Sequence, residues 1–142
     1  VSVMTVNSLT PMLLCQNLMK SVGSKSKVTI VNLSSGAARR AIPSWTSYCA
    51  SKAALQLFSE SFYLEEIEKG NYLKMYSVSP GVIDTDMQNQ IRQSGENDFS
   101  SRENFIAFYE KGELVSPKII SARIINLLEL PYSDEVNYTV KN

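Results

Sequence analysis

Residues 28–35, VTIVNLSS, and residues 46–54, TSYCASKAA, decide the fold of this chain. The first stretch is a compact run rich in β-branched residues, which is typical of a strand buried on both faces in a parallel sheet. The second opens a long helix, predicted over 46–69, that ends at the turn-forming pair Gly70-Asn71. A buried strand that leads into a helix of this length indicates an α/β fold.

Hydrophobic spacing predicts further helices and strands on both sides of this unit. They are a helix over 3–20, a second buried strand over 73–78, a short helix from Thr85, a helix that ends near Gly112, a helix from Pro117 to Leu130 and a last strand over 136–140. Capping-box patterns at Thr85–Gln88 and Ser100–Glu103 mark two helix starts, and Ser116-Pro117 marks a third. This order of helices and strands indicates one parallel sheet.

The composition excludes several classes of function. The 142 residues carry 14 Lys plus Arg and 14 Asp plus Glu, so we expect no surface for nucleic acid or an acidic membrane. No apolar run is long enough to span a bilayer and no secretory signal is visible, which favours a cytoplasmic protein. Histidine is absent, which excludes a Ser-His-Asp triad, and two cysteines are too few for a thiolate zinc site, so we expect no bound metal.

Tyr48 and Lys52 form the candidate catalytic pair. Four residues apart on a helix, they lie on one face, and a lysine ammonium beside a phenol favours the phenolate, which makes proton transfer usable near neutral pH. Ser34 and Ser35 follow a strand, and ligands of α/β sheets bind beyond the carboxyl ends of strands. Together these groups suit the reduction of a carbonyl. A surface Tyr-Lys pair is the alternative, because the spacing alone arises often by chance.

Four segments, in this order, resemble the short-chain dehydrogenase/reductase family. They are Val6-Asn7, residues 30–35 (IVNLSS), residues 48–54 (YCASKAA) and residues 80–87 (PGVIDTDM). The likeness spans essentially the whole chain but only the C-terminal part of the family's domain. It implies that residues 1–142 are a single partial domain, the C-terminal part of a Rossmann-like doubly wound parallel sheet, whose N-terminal nucleotide-binding half is absent from this sequence.

The resemblance implies a role for each matching residue. Tyr48 would protonate the carbonyl oxygen, and Lys52 would support it and hold the nicotinamide ribose. Ser35 would hydrogen-bond the substrate oxygen, and Asn7 would help a water-linked proton path. Gly81 would let the substrate approach the backbone closely.

The resemblance also implies a cofactor, NADP(H), bound by Tyr48, Lys52 and a loop that folds over the nicotinamide. The loop residues are Ile83, Asp84, Thr85, Asp86, Met87 and Gln88. Thr85 would hydrogen-bond the cofactor directly. The hydride chemistry belongs to the cofactor, and the protein positions the substrate and supplies the proton.

Within the family, residues 45–50, 83–88 and 111–115 are most similar to the sepiapterin reductases. That likeness implies reduction of a pterin side-chain ketone in tetrahydrobiopterin biosynthesis, with Asn137 among the residues that bind substrate. Those enzymes hold the pterin with an aspartate, whereas the neutral amide of Asn137 offers no anionic acceptor. A general carbonyl or diketone reductase is therefore the alternative substrate class.

The long helix has two faces that need covering. One carries Ala50, Ala53, Ala54, Leu57, Ser61 and Leu64, and the other carries Tyr48, Lys52, Leu55, Ser59 and Phe62. The sheet would cover one face, and a second subunit or another helix would cover the other. The family resemblance implies a homodimer through the helices at 3–20 and 46–69. A truncated, non-catalytic subunit or binding fragment is a further alternative for the chain.

Overall fold

In a computed structural model, the chain is described over residues 2–23, 26–95 and 99–140. Within these ranges the strands are β1 (Lys27–Leu33), β2 (Tyr72–Ser79) and β3 (Asn137–Thr139). The helices are α1, with a π-helical start at Thr5–Leu9 and an α-helical continuation at Thr10–Ser21, and α2 (Thr46–Glu68), α3 (Asp86–Gln93), α4 (Arg102–Glu110) and α5 (Pro117–Glu129). A 3-10 turn, Gly36–Ala38, follows β1.

The three strands form one parallel sheet in the order β1-β2-β3. Lys27 pairs with Tyr72 at one end of β1 and Leu33 with Val78 at the other, and β3 continues the sheet by pairing Ser77 with Asn137. Because all strands run the same way, their carboxyl ends meet at one edge. The predicted α/β architecture with a parallel sheet is confirmed.

The core lies between one face of the sheet and helices α1 and α2. Its buried side chains are Cys15, Ile30, Phe62, Tyr63, Leu73, Met75 and Val136. In β2 every residue from Met75 to Ser79 is buried, as predicted for an inner strand. In β1 only Ile30 and Asn32 are buried and Leu33 is 53% exposed, so the prediction of a strand buried on both faces is wrong for β1.

Glycines end two of the helices at the places predicted. At the end of α2, Gly70 has φ +77°, a conformation that L side chains rarely adopt. Its N–H donates to the Ile67 carbonyl and the N–H of Asn71 donates to Glu66, which together make a Schellman motif. Gly112 ends α4 in the same way, with φ +65°.

The starts of the helices agree less well with the sequence patterns. Ser116 caps α5 as predicted, because its hydroxyl accepts a hydrogen bond from the N–H of Ile119. Thr85 precedes α3, but its side chain makes no capping bond. Ser101, and not Ser100, is the N-cap of α4, again without a side-chain bond. Both predicted capping boxes are therefore wrong, although helices begin close to each of them.

Helix α2 presents its two predicted faces to different surroundings. Leu55, Ser59 and Phe62 are buried on the side of the sheet. On the other side, Leu57 and Leu64 are 64% and 61% exposed. None of the described helices combines the length and the apolar character that a membrane span requires.

The carboxylate of Glu66 lies buried at the end of α2. It accepts hydrogen bonds from Lys69 Nζ and Asn71 Nδ2, each 2.7 Å long. Burial acts to raise the pKa of Glu66, but the hydrogen bonds from Lys69 and Asn71 outweigh burial and hold the pKa below its ordinary value. The folded state therefore favours the ionised form.

We expect Glu66→Gln to lower the free energy of unfolding by about 1–2 kcal/mol near pH 7, because it removes two charge-assisted hydrogen bonds. Since the folded pKa lies below the ordinary 4.5, this contribution is complete above that pH and is lost as the pH falls through the lowered pKa. Urea unfolding near pH 7 and near pH 3 measures the difference in the free energy of unfolding between the wild type and the variant. This difference should be smaller near pH 3. The exposed neighbour Glu65 supplies the control, Glu65→Gln; equal losses in the two variants would contradict the prediction.

Candidate active site

Ser35 lies just beyond the carboxyl end of β1. The chain leaves the strand through Ser34 and Ser35 and enters the turn Gly36–Ala38, which packs against α2. The Ser35 hydroxyl accepts a hydrogen bond from the N–H of Ala37, 3.1 Å away. Because that bond uses a lone pair of the oxygen, the hydroxyl proton stays available for donation to a substrate oxygen.

Tyr48 lies in the first turn of α2, one turn before Lys52, which reaches the end of β1. Its ring is half-buried and meets the Trp45 ring edge to face, with centroids 5.2 Å apart. Among the described residues its hydroxyl has no hydrogen-bond partner. The Tyr48 ring is thus fixed by packing, while its hydroxyl is unengaged within the described part of the chain.

Lys52 follows Tyr48 by one helical turn, and its ammonium nitrogen is 5.9 Å from the centre of the Tyr48 ring. Nζ donates a hydrogen bond to the carbonyl of Leu33, the last residue of β1, at 2.8 Å. Burial lowers the pKa of Lys52 from its ordinary value. The bond to Leu33 holds the ammonium at the end of the strand, beside the phenol and close to the chain that carries Ser35.

Asn7 is joined to α2 through Ser51. Its amide donates to Ser51 Oγ at 3.1 Å, while Ser8 donates to the Ser51 carbonyl at 2.8 Å. Ser51 in turn donates to the carbonyl of Tyr48 and is completely buried. Asn7 and Ser8 belong to the π-helical segment Thr5–Leu9, a distortion that often marks functional positions. Ser8 and Ser51 were not predicted as site residues, because their only signal in the sequence is a small polar residue on a helix face that turns out to be buried.

The predicted cofactor loop follows β2 at the same edge. Gly81 has φ +80°, so the turn after Pro80 itself needs a glycine. Ile83 pairs with Val115 in an isolated bridge, which anchors the loop.

The side chains of the loop then divide into two groups. Asp84, Thr85, Asp86 and Met87 are exposed, whereas Gln88 is buried and accepts a hydrogen bond from Arg92. The exposed Thr85 hydroxyl, free of any capping bond, fits a hydrogen bond to a nicotinamide cofactor. Tyr48, Lys52 and Thr85 are thus the residues placed to hold one, while Gln88 faces inward.

Asn137 lies on the strand that is separated from β1 by β2. It is the first residue of β3, and its amide donates to Glu60 Oε1 of α2 at 2.6 Å. Glu60 is two turns beyond Lys52, which is about 12 Å along the helix axis. Among the described residues no hydrogen bond joins Asn137 to Tyr48, Lys52 or Ser35, because its Nδ2 group donates to Glu60 and its buried Oδ1 has no partner.

An aromatic cluster that the sequence analysis did not anticipate borders Tyr48. Trp45 stacks on Phe99 with centroids 5.2 Å apart and an angle of 10° between the rings. Phe105 of α4 contacts both Trp45 and Phe99, at 5.3 and 5.5 Å. The Tyr48 ring thus borders an apolar wall formed by Trp45, Phe99 and Phe105. Phe99 precedes α4, and Phe105 lies on it.

Comparison with known proteins finds a matching family and several similar enzymes. The family model described as short chain dehydrogenase matches residues 1–96. Benzil reductase ((S)-benzoin forming) from Bacillus cereus is 39% identical over 125 residues, 87% of this chain and 50% of that protein. Its namesake from Bacillus subtilis is 39% identical over 137 residues, 96% of this chain and 56% of that protein. Sepiapterin reductase from Bos taurus is 35% identical over 101 residues, 71% of this chain and 36% of that protein.

Solved structures give the same result for the fold. The KRED1-Pglu enzyme matches with a TM-score of 0.68 and 29% identity, over 78% of this chain and 46% of that one. A 4-hydroxyisoleucine dehydrogenase complexed with NADH shares the fold, with a TM-score of 0.66 and 24% identity over 96% of this chain and 55% of that one. The chain spans about half the length of the curated Bacillus relatives. On its sequence match and its parallel α/β architecture, the chain belongs to the short chain dehydrogenase family.

Proposed function

We propose that the protein is a nicotinamide-dependent carbonyl reductase whose substrates are aromatic 1,2-diketones. The observation that carries the proposal is the placement of Lys52 Nζ 5.9 Å from the Tyr48 ring, beside the turn that presents Ser35. A proton donor, a hydroxyl donor and a cation at one strand edge suit a carbonyl oxygen that gains negative charge.

In the proposed mechanism, Tyr48 and Ser35 both act on the substrate oxygen. The Ser35 hydroxyl donates a hydrogen bond that orients the carbonyl, and the Tyr48 hydroxyl transfers its proton to the same oxygen. The cofactor, which we take to be NADPH, supplies the hydride to the carbonyl carbon when bound. The Lys52 ammonium stabilises the phenolate left on Tyr48. Asn7, anchored to Ser51, would support the water through which Tyr48 regains its proton.

The apolar wall beside Tyr48 supports an aromatic substrate. Trp45 and Phe105, which are partly exposed and pack on the buried Phe99, offer ring surface to an aryl group next to the reacting carbonyl. Benzil, the diketone named in the two Bacillus relatives, has an aryl group on each side of its carbonyl pair. A pterin ketone is the second candidate, favoured by the likeness to sepiapterin reductase. It is less supported because the amide of Asn137 donates to Glu60.

The test is the oxidation of NADPH by the full-length protein with benzil and with sepiapterin, each followed by absorbance. We expect turnover of benzil with benzoin as the product, and a lower kcat/KM for sepiapterin. Faster turnover of sepiapterin would reverse the order of the two substrate classes and keep the roles of Tyr48 and Lys52. A parallel assay with NADH tests the choice of cofactor, for which we expect the lower kcat/KM.

We further propose that the protein forms a homodimer through α1 and α2. The outer faces of both helices carry exposed apolar side chains in the single chain. They are Val6, Leu9, Leu13, Leu14 and Leu18 on α1 and Leu57, Leu64 and Ile67 on α2. A group of exposed apolar side chains on two helices is typical of an interface between proteins.

A double substitution in α2, Leu57→Glu with Leu64→Glu, is expected to raise the dissociation constant of the dimer on the order of 100-fold, because it places charges in a desolvated interface. Light scattering coupled to size-exclusion chromatography reports the mass as a function of concentration. Leu130→Glu is the matched control, since Leu130 is equally exposed, at 59%, but lies beyond α5. An unchanged dimer in the double variant would count against this interface.

A further inference from the structure

A cleft lies between residues 40–43 and helix α4, next to the aromatic cluster that borders Tyr48. Its volume is about 360 Å³, which is within the range of small-molecule sites. Its apolar floor consists of Ile42, Pro43, Val82, Phe105 and Phe108. Such a floor accommodates a flat apolar group the size of a substituted ring.

The polar groups around the cleft have one sign of charge. Arg40 and Lys111 line it, together with the neutral side chains of Ser101 and Asn104, and no lining residue is a carboxylate. Within the described part of the chain, neither Arg40 nor Lys111 forms an ion pair. Two exposed cations over an apolar floor, without a compensating acid, favour a ligand that joins an aromatic ring to an anion.

The cleft and the candidate acid share one aromatic wall. Phe105 lines the cleft and contacts Trp45 at 5.3 Å, and Trp45 in turn contacts the Tyr48 ring at 5.2 Å. Val82, another lining residue, is adjacent to Gly81 at the carboxyl end of β2. A substrate whose reacting carbonyl lies at Tyr48 can thus extend a distal ring along Trp45 toward Arg40 and Lys111.

From this arrangement we infer that the cleft holds the distal aryl group of the carbonyl substrate, and that Arg40 and Lys111 select substrates with a carboxylate on that ring. The inference rests on the proposed function and names a narrower substrate class, the aryl diketones that carry a carboxylate. Recognition takes place at the distal ring, so the reaction at the carbonyl is unchanged.

The experiment compares two derivatives of benzil that differ in charge, 4-carboxybenzil and its methyl ester. We expect the full-length wild-type protein to prefer the acid over the ester in kcat/KM by about 5–10-fold, because exposed ion pairs contribute modestly. In the double variant Arg40→Met with Lys111→Met, the acid-to-ester ratio should fall to about 1. The ratio should persist in Lys118→Met, which removes an exposed lysine of α5 that does not line the cleft.

Two results would overturn the inference. One is a wild-type ratio at or below 1, and the other is a preference for the acid that survives in the double variant. Turnover of unsubstituted benzil reports separately on the proposed function. If no diketone is turned over, quenching of Trp45 fluorescence by the acid and the ester still tests the cleft, with Trp45→Phe identifying the signal. A charge preference in that titration that is lost in the double variant supports the cleft, and its absence contradicts it.

Discussion

Tyr48→Phe is expected to lower kcat/KM for benzil by about 10²–10⁴-fold, which is the usual contribution of a positioned general acid. The substitution removes only the hydroxyl, and the ring contact with Trp45 at 5.2 Å remains. Because the hydroxyl has no hydrogen-bond partner among the described residues, the thermal midpoint should change little. Steady-state kinetics combined with thermal unfolding separates the two effects.

Tyr72→Phe provides the matched control. Tyr72 is 62% exposed at the opposite end of β2, so the loss of its hydroxyl should leave both kinetics and stability unchanged. Near-wild-type turnover by Tyr48→Phe would remove Tyr48 as the proton donor. A large drop in the thermal midpoint would show instead that the hydroxyl has a structural role.

Lys52→Met is expected to lower kcat/KM by about 10²–10³-fold, comparable to the loss of one preorganised electrostatic donor. The ammonium stabilises the charge that forms on Tyr48, and methionine keeps the side chain as far as its ε position without that charge. The bond from Nζ to the Leu33 carbonyl is also lost. Single-turnover kinetics isolates the chemical step, and Lys118→Met on α5 serves as the control for removing an exposed charge.

The same substitution makes a prediction about stability and pH. Burial lowers the pKa of Lys52 in the folded protein below the ordinary 10.5, so the unfolded chain holds this proton more tightly. Below the lowered pKa the folded protein therefore bears the full cost of burying the ammonium, and this cost disappears as the pH rises to the ordinary value. We expect Lys52→Met to be at least as stable as the wild type near pH 7. The stability of the wild type relative to the variant should be higher near pH 10 than near pH 7, and thermal unfolding at both pH values measures this difference.

The elements of the fold were predictable from local pattern, because spacing and helix signals report on neighbouring residues. The bounds of α2 and β2, and the glycine end of α2 at Gly70, follow from such signals. The exposed face of β1 was not predictable, since the sequence from Val28 to Leu33 is the same whether one face of the strand or both faces are covered. The π-helical start of α1 was also missed, and the hydrogen bond from its Asn7 to Ser51 joins residues 44 positions apart in the chain.

The candidate site shows the same division between local and distant information. The pair Tyr48 and Lys52 was evident from a spacing of four residues on one helix. The partner of Asn137, in contrast, is Glu60, 77 residues earlier in the chain. The contacts of Trp45 with Phe99 and Phe105 likewise join segments that only the tertiary fold brings together. A pattern within one short stretch of sequence does not report contacts between residues so far apart in the chain.

The most direct measurement follows the hydride itself. The full-length protein is incubated with benzil and NADPH deuterated at C4, once on each face of the nicotinamide, and the benzoin product is analysed by mass spectrometry. We predict that one of the two labelled cofactors transfers a single deuterium to the carbinol carbon of benzoin, and that Tyr48→Phe slows this transfer. Benzoin without deuterium from either cofactor would contradict direct carbonyl reduction at the Ser35, Tyr48 and Lys52 site, and no reduction of benzil would contradict the proposed substrate class.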